Sequence, residues 1–347
     1  MFFTCYIHIV AVEPFKSPAL SDTHSSTLIL LPDIQNYARF ERNQGILELM
    51  TAWISENINT LNIKALLCTG DLVEQNNMPI PGWIRENQSS SQQWKSASKA
   101  FERLDGKIPY ILCTGNHDYG YRSAENRMSY FSEYFPTDRN VCWRESLVSI
   151  TNNAQGYPTL ENAAYELNIS KWGKLLIIVL EFAPRNEVLQ WAKELAANEK
   201  YKKHKCILLT HSYLNHEGKR IAKEGYKFPE PNWGEDIWKK LVFPSSNIRF
   251  VISGHITSEN SFRENVGFQT DINIAGKNVH QMVFNAQAEG GGKFGNGGDG
   301  WLRIIELLPD GRTVKIQTFS PFFAISPSTQ EYAWRIENYD NFEFVIE

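Results

Sequence analysis

The chain has 347 residues and a mass of 39.9 kDa, enough for one large domain or two ordinary ones. A hydrophobic fraction of 42%, with 13% aromatic residues, supplies a sizeable core and excludes wholesale disorder. The formal net charge is −4 and no block of like charges occurs, which argues against a protein that binds nucleic acid by electrostatic attraction but leaves small anionic substrates open.

The first 27 residues are predicted to form an extension ahead of the folded domain. Its opening letters, MFFTCYIHIVAV, are apolar over the length of a signal-peptide core, but they lack a basic start and contain His8. A degenerate signal segment and a surface strand both match this pattern, so the compartment stays open. No stretch of the sequence is apolar over the length that spans a bilayer. The five cysteines form no CxxC pair, and we expect most of them to be buried thiols.

From residue 27 onward, strand and helix patterns alternate. TLILL (27–31), IKALLCTG (63–70) and IPYILCTG (108–115) are continuous apolar runs typical of buried strands. Apolar residues recur every three or four positions between Ile46 and Leu61, which predicts an amphipathic helix. SSSQQWKSASKAFERLDG predicts a second helix with a serine N-cap. This alternation predicts an α/β protein with a parallel sheet that is covered on both faces.

The second half of the chain continues with strands and two helices. YELNI and KLLIIVLEF (174–182) are predicted to pair around a turn at Lys171–Gly173, and KCILLTH (205–211) and NIRFVISGH (247–255) to be further strands. The segments RNEVLQWAKELAANEK and NWGEDIWKKLVF predict helices, and WLRIIELLPDGRTVKIQTFS predicts a hairpin that turns at Pro309–Gly311. The glycine-rich segment 288–300 is predicted to be a mobile surface loop. We expect one domain over residues 28–320 and a C-terminal extension over 321–347.

Polar side chains directly follow five of these apolar runs. The set comprises Asp33 with Gln35, Asp71 after Gly70, Asn116 with His117 and Asp118 after Gly115, His211 after Thr210, and His255 after Gly254. Each residue alone has a structural explanation, such as a helix cap, a turn or a buried histidine. Because the carboxyl ends of parallel strands lie along one edge of a sheet, we expect the whole set to meet at one site.

The chemistry of this set is that of a divalent-metal site. Carboxylate, amide and imidazole ligands without a thiolate disfavour a structural zinc–sulfur site. One carboxylate can bridge two ions, which together bind phosphate oxygens, acidify a water nucleophile and stabilise charge during phosphoryl transfer. A nearby histidine can protonate the leaving oxygen, and an adjacent carboxylate can fix the tautomer of that histidine.

The motif series D-x-Q, GDLVE, GNHD, TH and GH, in this order over roughly residues 28–320, resembles that of the calcineurin-like metallophosphoesterase superfamily. The resemblance implies a four-layer α/β/β/α sandwich of the metallophosphoesterase type. It also implies two divalent metal ions (Mn, Fe, Zn or Mg) at the strand ends. The ligands that it implies are Asp71 as the bridge, then Asn116, His211 and His255 at one position, and Asp33 and Gln35 at the other.

The resemblance also assigns residues that act on the substrate. It implies that His117, paired with Asp118, protonates the leaving group, and that Asn116 and His117 contact the substrate. Arg122 lies five residues beyond His117 and is a candidate for gripping a phosphate, although a surface arginine is the commoner explanation of such a residue.

Two positions depart from the usual pattern of the superfamily. Gln35 stands where the first motif has a histidine, and Thr257 stands where the last motif has its second histidine. Both changes fall on the metal position built on Asp33. A glutamine carbonyl is a harder and weaker ligand than imidazole, so this position should favour Mn, Mg, Ca or Fe over Zn. The chain resembles a branch of the superfamily with both features, and Glu259 is a candidate replacement ligand.

Two functions are compatible with these residues. The first is hydrolysis of phosphate mono- or diesters by a metal-activated water at a dinuclear centre, with a phosphate ester as partner and no clear nucleic-acid or membrane partner. The alternative is a non-catalytic or single-metal binding protein that retains the scaffold, which the changes at Gln35 and Thr257 favour. The neighbouring His117 and Asp118 favour the enzyme, because a proton donor has no evident use in a binding protein. The substrate, the resident metals and the oligomeric state stay open.

Overall fold

The apolar runs of the sequence form two seven-stranded sheets in the computed structural model, which describes residues 15–81 and 87–347. In chain order the strands are β1 (Ser26–Leu31), β2 (Ile63–Cys68), β3 (Tyr110–Leu112), β4 (Leu147–Asn152), β5 (Pro158–Ile169), β6 (Gly173–Val179), β7 (Lys205–Leu209), β8 (Ile248–Ser253), β9 (Val266–Ile272), β10 (Asn278–Phe284), β11 (Leu302–Leu307), β12 (Thr313–Phe319), β13 (Trp334–Arg335) and β14 (Phe342–Val345). The α-helices are α1 (Gln35–Arg39), α2 (Gln44–Asn57), α3 (Ser90–Glu102), α4 (Phe131–Tyr134), α5 (Trp143–Ser146), α6 (Asn186–Ala197), α7 (Gly234–Ile237) and α8 (Pro321–Ala324).

The first sheet has the order β13-β12-β11-β1-β2-β3, with β14 also paired to β12. Its strands β1, β2 and β3 are parallel, as the sequence predicts. The predicted hairpin forms from β11 and β12, and β11 runs antiparallel to β1. The segment 321–347, expected from the sequence to be an extension, contributes β13 and β14 to this sheet.

The second sheet has the order β4-β5-β6-β7-β8-β10-β9. Strands β6, β7, β8 and β10 are parallel, and β5 pairs antiparallel with β6 across the predicted turn at Lys171–Gly173. The five strand ends of the sequence analysis therefore belong to two sheets, not to one parallel sheet. Continuous apolar runs reveal that a strand is buried on both faces, but they do not reveal which sheet it joins.

The two sheets pack against each other and helices cover their outer faces, which gives the expected four-layer α/β/β/α sandwich. One apolar core contains residues of both sheets, among them Leu30 of β1, Ile177 of β6 and Ile252 of β8. Helices α2 and α3 pack onto the first sheet, whereas α6 and the turn that follows α7 cover the second. Helix α3 begins after Ser89, whose backbone N–H donates to the Gln92 side chain at 2.8 Å and closes a capping box.

Three expectations concern the N-terminal segment, the cysteines and membrane spans. The apolar segment that opens the chain lies outside them, as does Cys5. Within them, Cys68, Cys113 and Cys206 are buried thiols, as predicted. No helix in the described part of the chain combines the length and the apolar character that crossing a membrane requires.

Candidate metal centre

The carboxyl ends of β1, β2 and β3 meet those of β7 and β8 at one end of the sandwich. Asp71 and His255 follow their strands in the left-handed region, with φ of +48° and +75°. Two glycines let the backbones approach closely here, because a Cβ on Gly115 would collide with the carboxylate of Asp71 and one on Gly254 with that of Asp33. The glycines of the GNHD and GH motifs are therefore required by packing at the site.

His211 and His255 each direct one ring nitrogen toward the other. Nδ1 of His211 lies 2.8 Å from the carbonyl oxygen of Thr69, and Nε2 of His255 lies 2.7 Å from the Glu224 carboxylate. The remaining nitrogens, Nε2 of His211 and Nδ1 of His255, are 3.1 Å apart. Metal-ligating histidines donate their second N–H to a carbonyl or a carboxylate, so this arrangement leaves each imidazole one nitrogen for an ion.

Asp71 and Asn116 bring oxygen atoms to the same point. Oδ2 of Asp71 lies 3.4 Å from Nε2 of His211, and Oδ1 of Asn116 lies 3.1 Å from that nitrogen. One ligand atom from each of Asp71, His211 and His255 lies within 4.8 Å of the others. The structure thus brings four predicted ligands together, and two nitrogens with two oxygens suit a borderline divalent ion.

Asp33 is fully buried beside this cluster. Its Oδ1 accepts a hydrogen bond from the Thr69 hydroxyl at 2.8 Å. Its Oδ2 accepts hydrogen bonds from the backbone N–H of His255 at 3.0 Å and from the amide of Asn285 at 2.7 Å. These donors come from the ends of β2, β8 and β10, so the carboxylate of Asp33 joins the two sheets.

Gln35 lies next to Asp71 and is 2% exposed. Its Nε2 donates to Oδ2 of Asp71 at 3.1 Å, whereas its Oε1 is buried and finds no hydrogen-bond partner within residues 15–81 and 87–347. A buried carbonyl oxygen without a partner is costly, at about 1–3 kcal/mol, and a cation would satisfy it. The orphaned oxygen therefore fits the ligand role expected of Gln35.

The buried carboxylates and imidazoles shift one another's proton affinities. Burial raises the pKa of Asp33; His211 offsets part of this shift and Asp71 adds to it, which leaves the pKa at about 6. Burial lowers the pKa of His211, but Asp71 and Asp33 outweigh it and raise that pKa to about 10. Positive charge beside the two buried carboxylates stabilises their ionised forms, and a divalent ion would supply such charge in place of a proton on His211.

His117 is half-buried at the wall of the cavity described below. Its Nδ1 lies 2.7 Å from the carbonyl oxygen of Glu74, and its backbone N–H donates to Oδ1 of Asp71 at 2.9 Å. Burial lowers the pKa of His117, but the charges of Glu74 and Asp71 outweigh it, so the pKa is raised above its usual value. The imidazole is therefore held protonated to higher pH, as a proton donor requires.

The expected pairing of His117 with Asp118 is corrected by the structure. The carboxylate of Asp118 is fully buried and accepts hydrogen bonds from the backbone N–H groups of Leu72 at 2.8 Å, Val73 at 3.2 Å and Gly115 at 2.8 Å. Residues 116–118 form one tight 3-10 turn, in which neighbouring side chains point in different directions. Asp118 therefore fixes the loops that carry Asp71 and Asn116, and a backbone carbonyl orients the ring of His117.

The site opens into a cavity of about 550 Å³. Its described walls include Asp71, Asn116, His117 and His255, together with Gln35, Asn36, Arg39, Glu74, Glu224, Tyr226, Ile256, Thr257, Ser258, Glu259, Gln287, Ala288 and Lys293. Arg122 is absent from these described walls, and its backbone N–H donates to Glu125 at 3.0 Å. Arg39 and Lys293 are the cationic residues of the described lining.

The glycine-rich segment 288–300, expected to be a mobile surface loop, is tied down over the cavity wall. Arg39 donates to the carbonyl of Lys293 at 3.3 Å, and Arg42 donates to that of Phe294 at 2.7 Å. The backbone N–H of Lys293 donates to Glu259 at 2.7 Å. Glu259, the candidate replacement ligand, thus lines the cavity with one carboxylate oxygen engaged by this loop.

Three residues at the site were missed in the sequence. Asn285 and Gln287 follow β10, whose carboxyl end also leads into polar residues, but His280 and Gln281 interrupt the apolar run that marked the other strands. Glu224 lies in the irregular segment between β7 and α7 and follows no strand. No local pattern distinguishes it from a solvated glutamate, and only the fold brings it to His255.

An α/β/β/α sandwich with acidic, amide and imidazole ligands gathered at its strand ends defines the class of metal-dependent phosphoesterases. The family model for calcineurin-like phosphoesterases matches residues 19–258, and the chain belongs to this family. Metal-dependent hydrolysis of phosphate esters is the activity that gives the family its description.

Individual relatives add little about the particular activity. Over 297 residues the chain is 29% identical to the uncharacterized protein YvnB of Bacillus subtilis (strain 168), a match that covers 85% of this chain and 20% of YvnB. The chain thus spans about a fifth of that relative. Among solved structures, GAP50, described as the anchor in the inner membrane complex of Plasmodium, is similar with a TM-score of 0.43 and 11% identity, over 93% of this chain and 89% of that one.

Proposed function

We propose that the chain hydrolyses phosphate mono- or diesters at a dinuclear metal centre. The observation that carries the proposal is a cluster of four ligand residues. Nε2 of His211 and Nδ1 of His255 meet beside Asp71 and Asn116, next to Asp33 and Gln35. The outer ring nitrogens of both histidines are held by a carbonyl and a carboxylate. The inner nitrogens lie 3.1 Å apart beside the buried carboxylate of Asp71, where one ion could take both of them as ligands.

The residues present fit two divalent ions. Asn116, His211 and His255 would hold one ion, Asp33 and Gln35 the other, and Asp71 would bridge them. When bound, the ions would bind phosphate oxygens and lower the pKa of the attacking water. The cavity above them has a volume of about 550 Å³, and its described lining includes the cationic side chains of Arg39 and Lys293.

His117 would protonate the leaving oxygen from its Nε2. The carbonyl of Glu74 accepts the hydrogen bond from Nδ1–H, so the second nitrogen is left to carry the mobile proton. The bond between its backbone N–H and Asp71 fixes the imidazole relative to the bridging carboxylate. Loss of the proton to the leaving group is easiest when the pKa lies near the working pH, and the raised pKa of His117 supports this role.

A binding protein that holds a single ion is the second candidate, and Thr257 in place of an imidazole favours it. Turnover of p-nitrophenyl phosphate and of its bis ester with added Mn²⁺ separates the two. We expect His117→Ala and Asp71→Ala to lose activity on whichever ester is hydrolysed, on the order of 10²-fold or more, since general acid–base catalysis alone contributes about 10²–10⁴-fold.

His24→Ala is the matched control, because His24 is a solvent-exposed imidazole that precedes β1, at the opposite end of that strand from Asp33. It should retain wild-type turnover. If His117→Ala and Asp71→Ala also retained it, or if the wild type turned over neither ester with any divalent metal, the enzymatic proposal would be wrong.

A further inference from the structure

A sixth strand end reaches the metal centre. Strand β10 is parallel to β8, so its carboxyl end lies at the same edge of the second sheet as His255. The residues that follow it are Asn285, Ala286 and Gln287, all buried. Neither the motifs nor the comparison with the family assigns a role to this segment.

Asn285 fixes the position of the segment. Its Nδ2 donates to Oδ2 of Asp33 at 2.7 Å, while its Oδ1 accepts the backbone N–H groups of Ala286 at 2.7 Å and Gln287 at 3.1 Å. Asn36 in α1 donates to the carbonyl of Gln287 at 3.3 Å. The backbone of Gln287 is therefore held from both sheets, and its side chain is directed into the cavity.

The amides of Gln287 and Gln35 flank the two buried carboxylates. Nε2 of Gln287 lies 3.5 Å from Oδ2 of Asp33, and Nε2 of Gln35 lies 3.1 Å from Oδ2 of Asp71. A half-turn of a terminal amide exchanges its nitrogen for its oxygen with almost no change of shape. Either glutamine can thus present a carbonyl oxygen to a cation between the carboxylates. The buried Oε1 of Gln35, without a hydrogen-bond partner in the described part of the chain, is consistent with such a turn.

We propose that Gln287 is a ligand of the metal position built on Asp33. Its amide would take the place of the histidine that the usual last motif of the family has at the position of Thr257. Together with Asp33, Asp71 and Gln35 it makes this position all-oxygen. The inference rests on the proposed dinuclear centre and specifies its metals. Glu259 is the poorer candidate, because its carboxylate accepts the backbone N–H of Lys293 on the glycine-rich loop.

The two positions would then differ in the class of ion they take. Oxygen-only sites suit the hard cations Mg²⁺, Ca²⁺ and Mn²⁺, whereas the position with His211 and His255 suits Zn²⁺ or Fe²⁺. The centre would therefore be heterometallic, with one borderline ion held tightly and one hard ion held more loosely.

The test is a Mn²⁺ titration of protein loaded with one equivalent of Zn²⁺, with free Mn²⁺ followed by its six-line electron paramagnetic resonance signal. We expect the wild type to bind one Mn²⁺ that Ca²⁺ displaces. Gln287→Leu should keep its zinc and bind Mn²⁺ at least about 10-fold more weakly, the lower end of the loss seen when even an outer partner of a metal site is removed. Gln287→Glu should bind Mn²⁺ at least as tightly as the wild type, because a carboxylate replaces the amide.

Gln190→Leu, on the exposed face of α6, is the control for the loss of a glutamine. Wild-type Mn²⁺ affinity in Gln287→Leu would overturn the assignment. If that variant did not fold, weaker Mn²⁺ binding by Gln287→Glu than by the wild type would overturn it equally. Failure of the proposed function would be seen in a different measurement. The wild type itself would hydrolyse no phosphate ester, whatever the Mn²⁺ affinity of the Gln287 variants.

Discussion

Glu224 offers the sharpest test of how the histidine position is built. Its Oε1 lies 2.7 Å from Nε2 of His255, and the two side chains are 14% and 16% exposed. Burial raises the pKa of Glu224, but the hydrogen bond to His255 outweighs it, so the pKa falls below its usual value and the residue is ionised at neutral pH. An ionised carboxylate on the outer nitrogen orients the imidazole and makes its other nitrogen a better metal ligand.

The structure sets the size of the expected effect. Removal of an outer carboxylate costs about 10–100-fold in metal affinity, which corresponds to about 1.4–2.7 kcal/mol. The rings of Phe182 and Tyr226 lie 6.0 and 6.3 Å from that of His255 and keep it in place without the carboxylate. We therefore expect Glu224→Ala to weaken Zn²⁺ binding by about 10–30-fold, in the lower half of that range. Glu224→Gln, which keeps an acceptor but not the charge, should lose less.

The assay is competition for Zn²⁺ against a chromophoric chelator at fixed pH. Glu217→Gln is the matched control, because Glu217 lies in the same connection but is exposed and pairs with Lys219. It should bind Zn²⁺ as the wild type does. Zinc affinity in Glu224→Ala equal to that of the wild type would refute the reasoning that the carboxylate tunes His255.

Three further predictions concern the proton donor, a buried turn and the core. Glu74→Gln removes the charge that raises the pKa of His117, so the alkaline limb of kcat/KM against pH should move to lower pH; an unmoved or upward-moved limb would contradict this. Asp118→Asn leaves only one acceptor oxygen for three backbone N–H groups, so it should lower the free energy of unfolding by about 1–3 kcal/mol in urea titrations. Unchanged stability together with lost activity would instead indicate a direct catalytic role of Asp118. Leu208 is fully buried in β7, so Leu208→Ala should lower the free energy of unfolding by about 2–5 kcal/mol without changing the metal stoichiometry. A smaller loss would mean that β7 lies nearer the surface than the structure places it.

The ligands that the sequence predicts lie directly after apolar strands, and this is why they could be found. A buried parallel strand is recognised by its continuous apolar run, and the residues that follow it lie at the carboxyl edge of the sheet. That rule places Asp33 and Asp71 at the edge of the first sheet and His255 at the edge of the second, and the packing of the two sheets brings them together. Asn285 and Gln287 obey it too, but β10 follows the antiparallel β9 and its run contains His280 and Gln281, which weakened the apolar signal.

Other features depend on contacts between distant segments and have no local signal. Glu224 reaches His255 from an irregular connection, and the carbonyl of Glu74 replaces Asp118 as the partner of His117 only because of the turn geometry. The division of the strands between two sheets depends on how apolar faces are shared, since strands buried on both sides look alike in sequence. Likewise, β14 joins β12 through backbone hydrogen bonds that any extended segment can offer.

Anomalous diffraction from crystals grown with Zn²⁺ and Mn²⁺ measures the central claim most directly. We expect two peaks about 3.5–4 Å apart, the spacing of ions bridged by one carboxylate, with Asp71 between them. One peak should contact His211 and His255, and the other should contact Asp33. A single peak, or ions bound away from Asp71, would contradict the dinuclear centre on which the proposed hydrolysis depends.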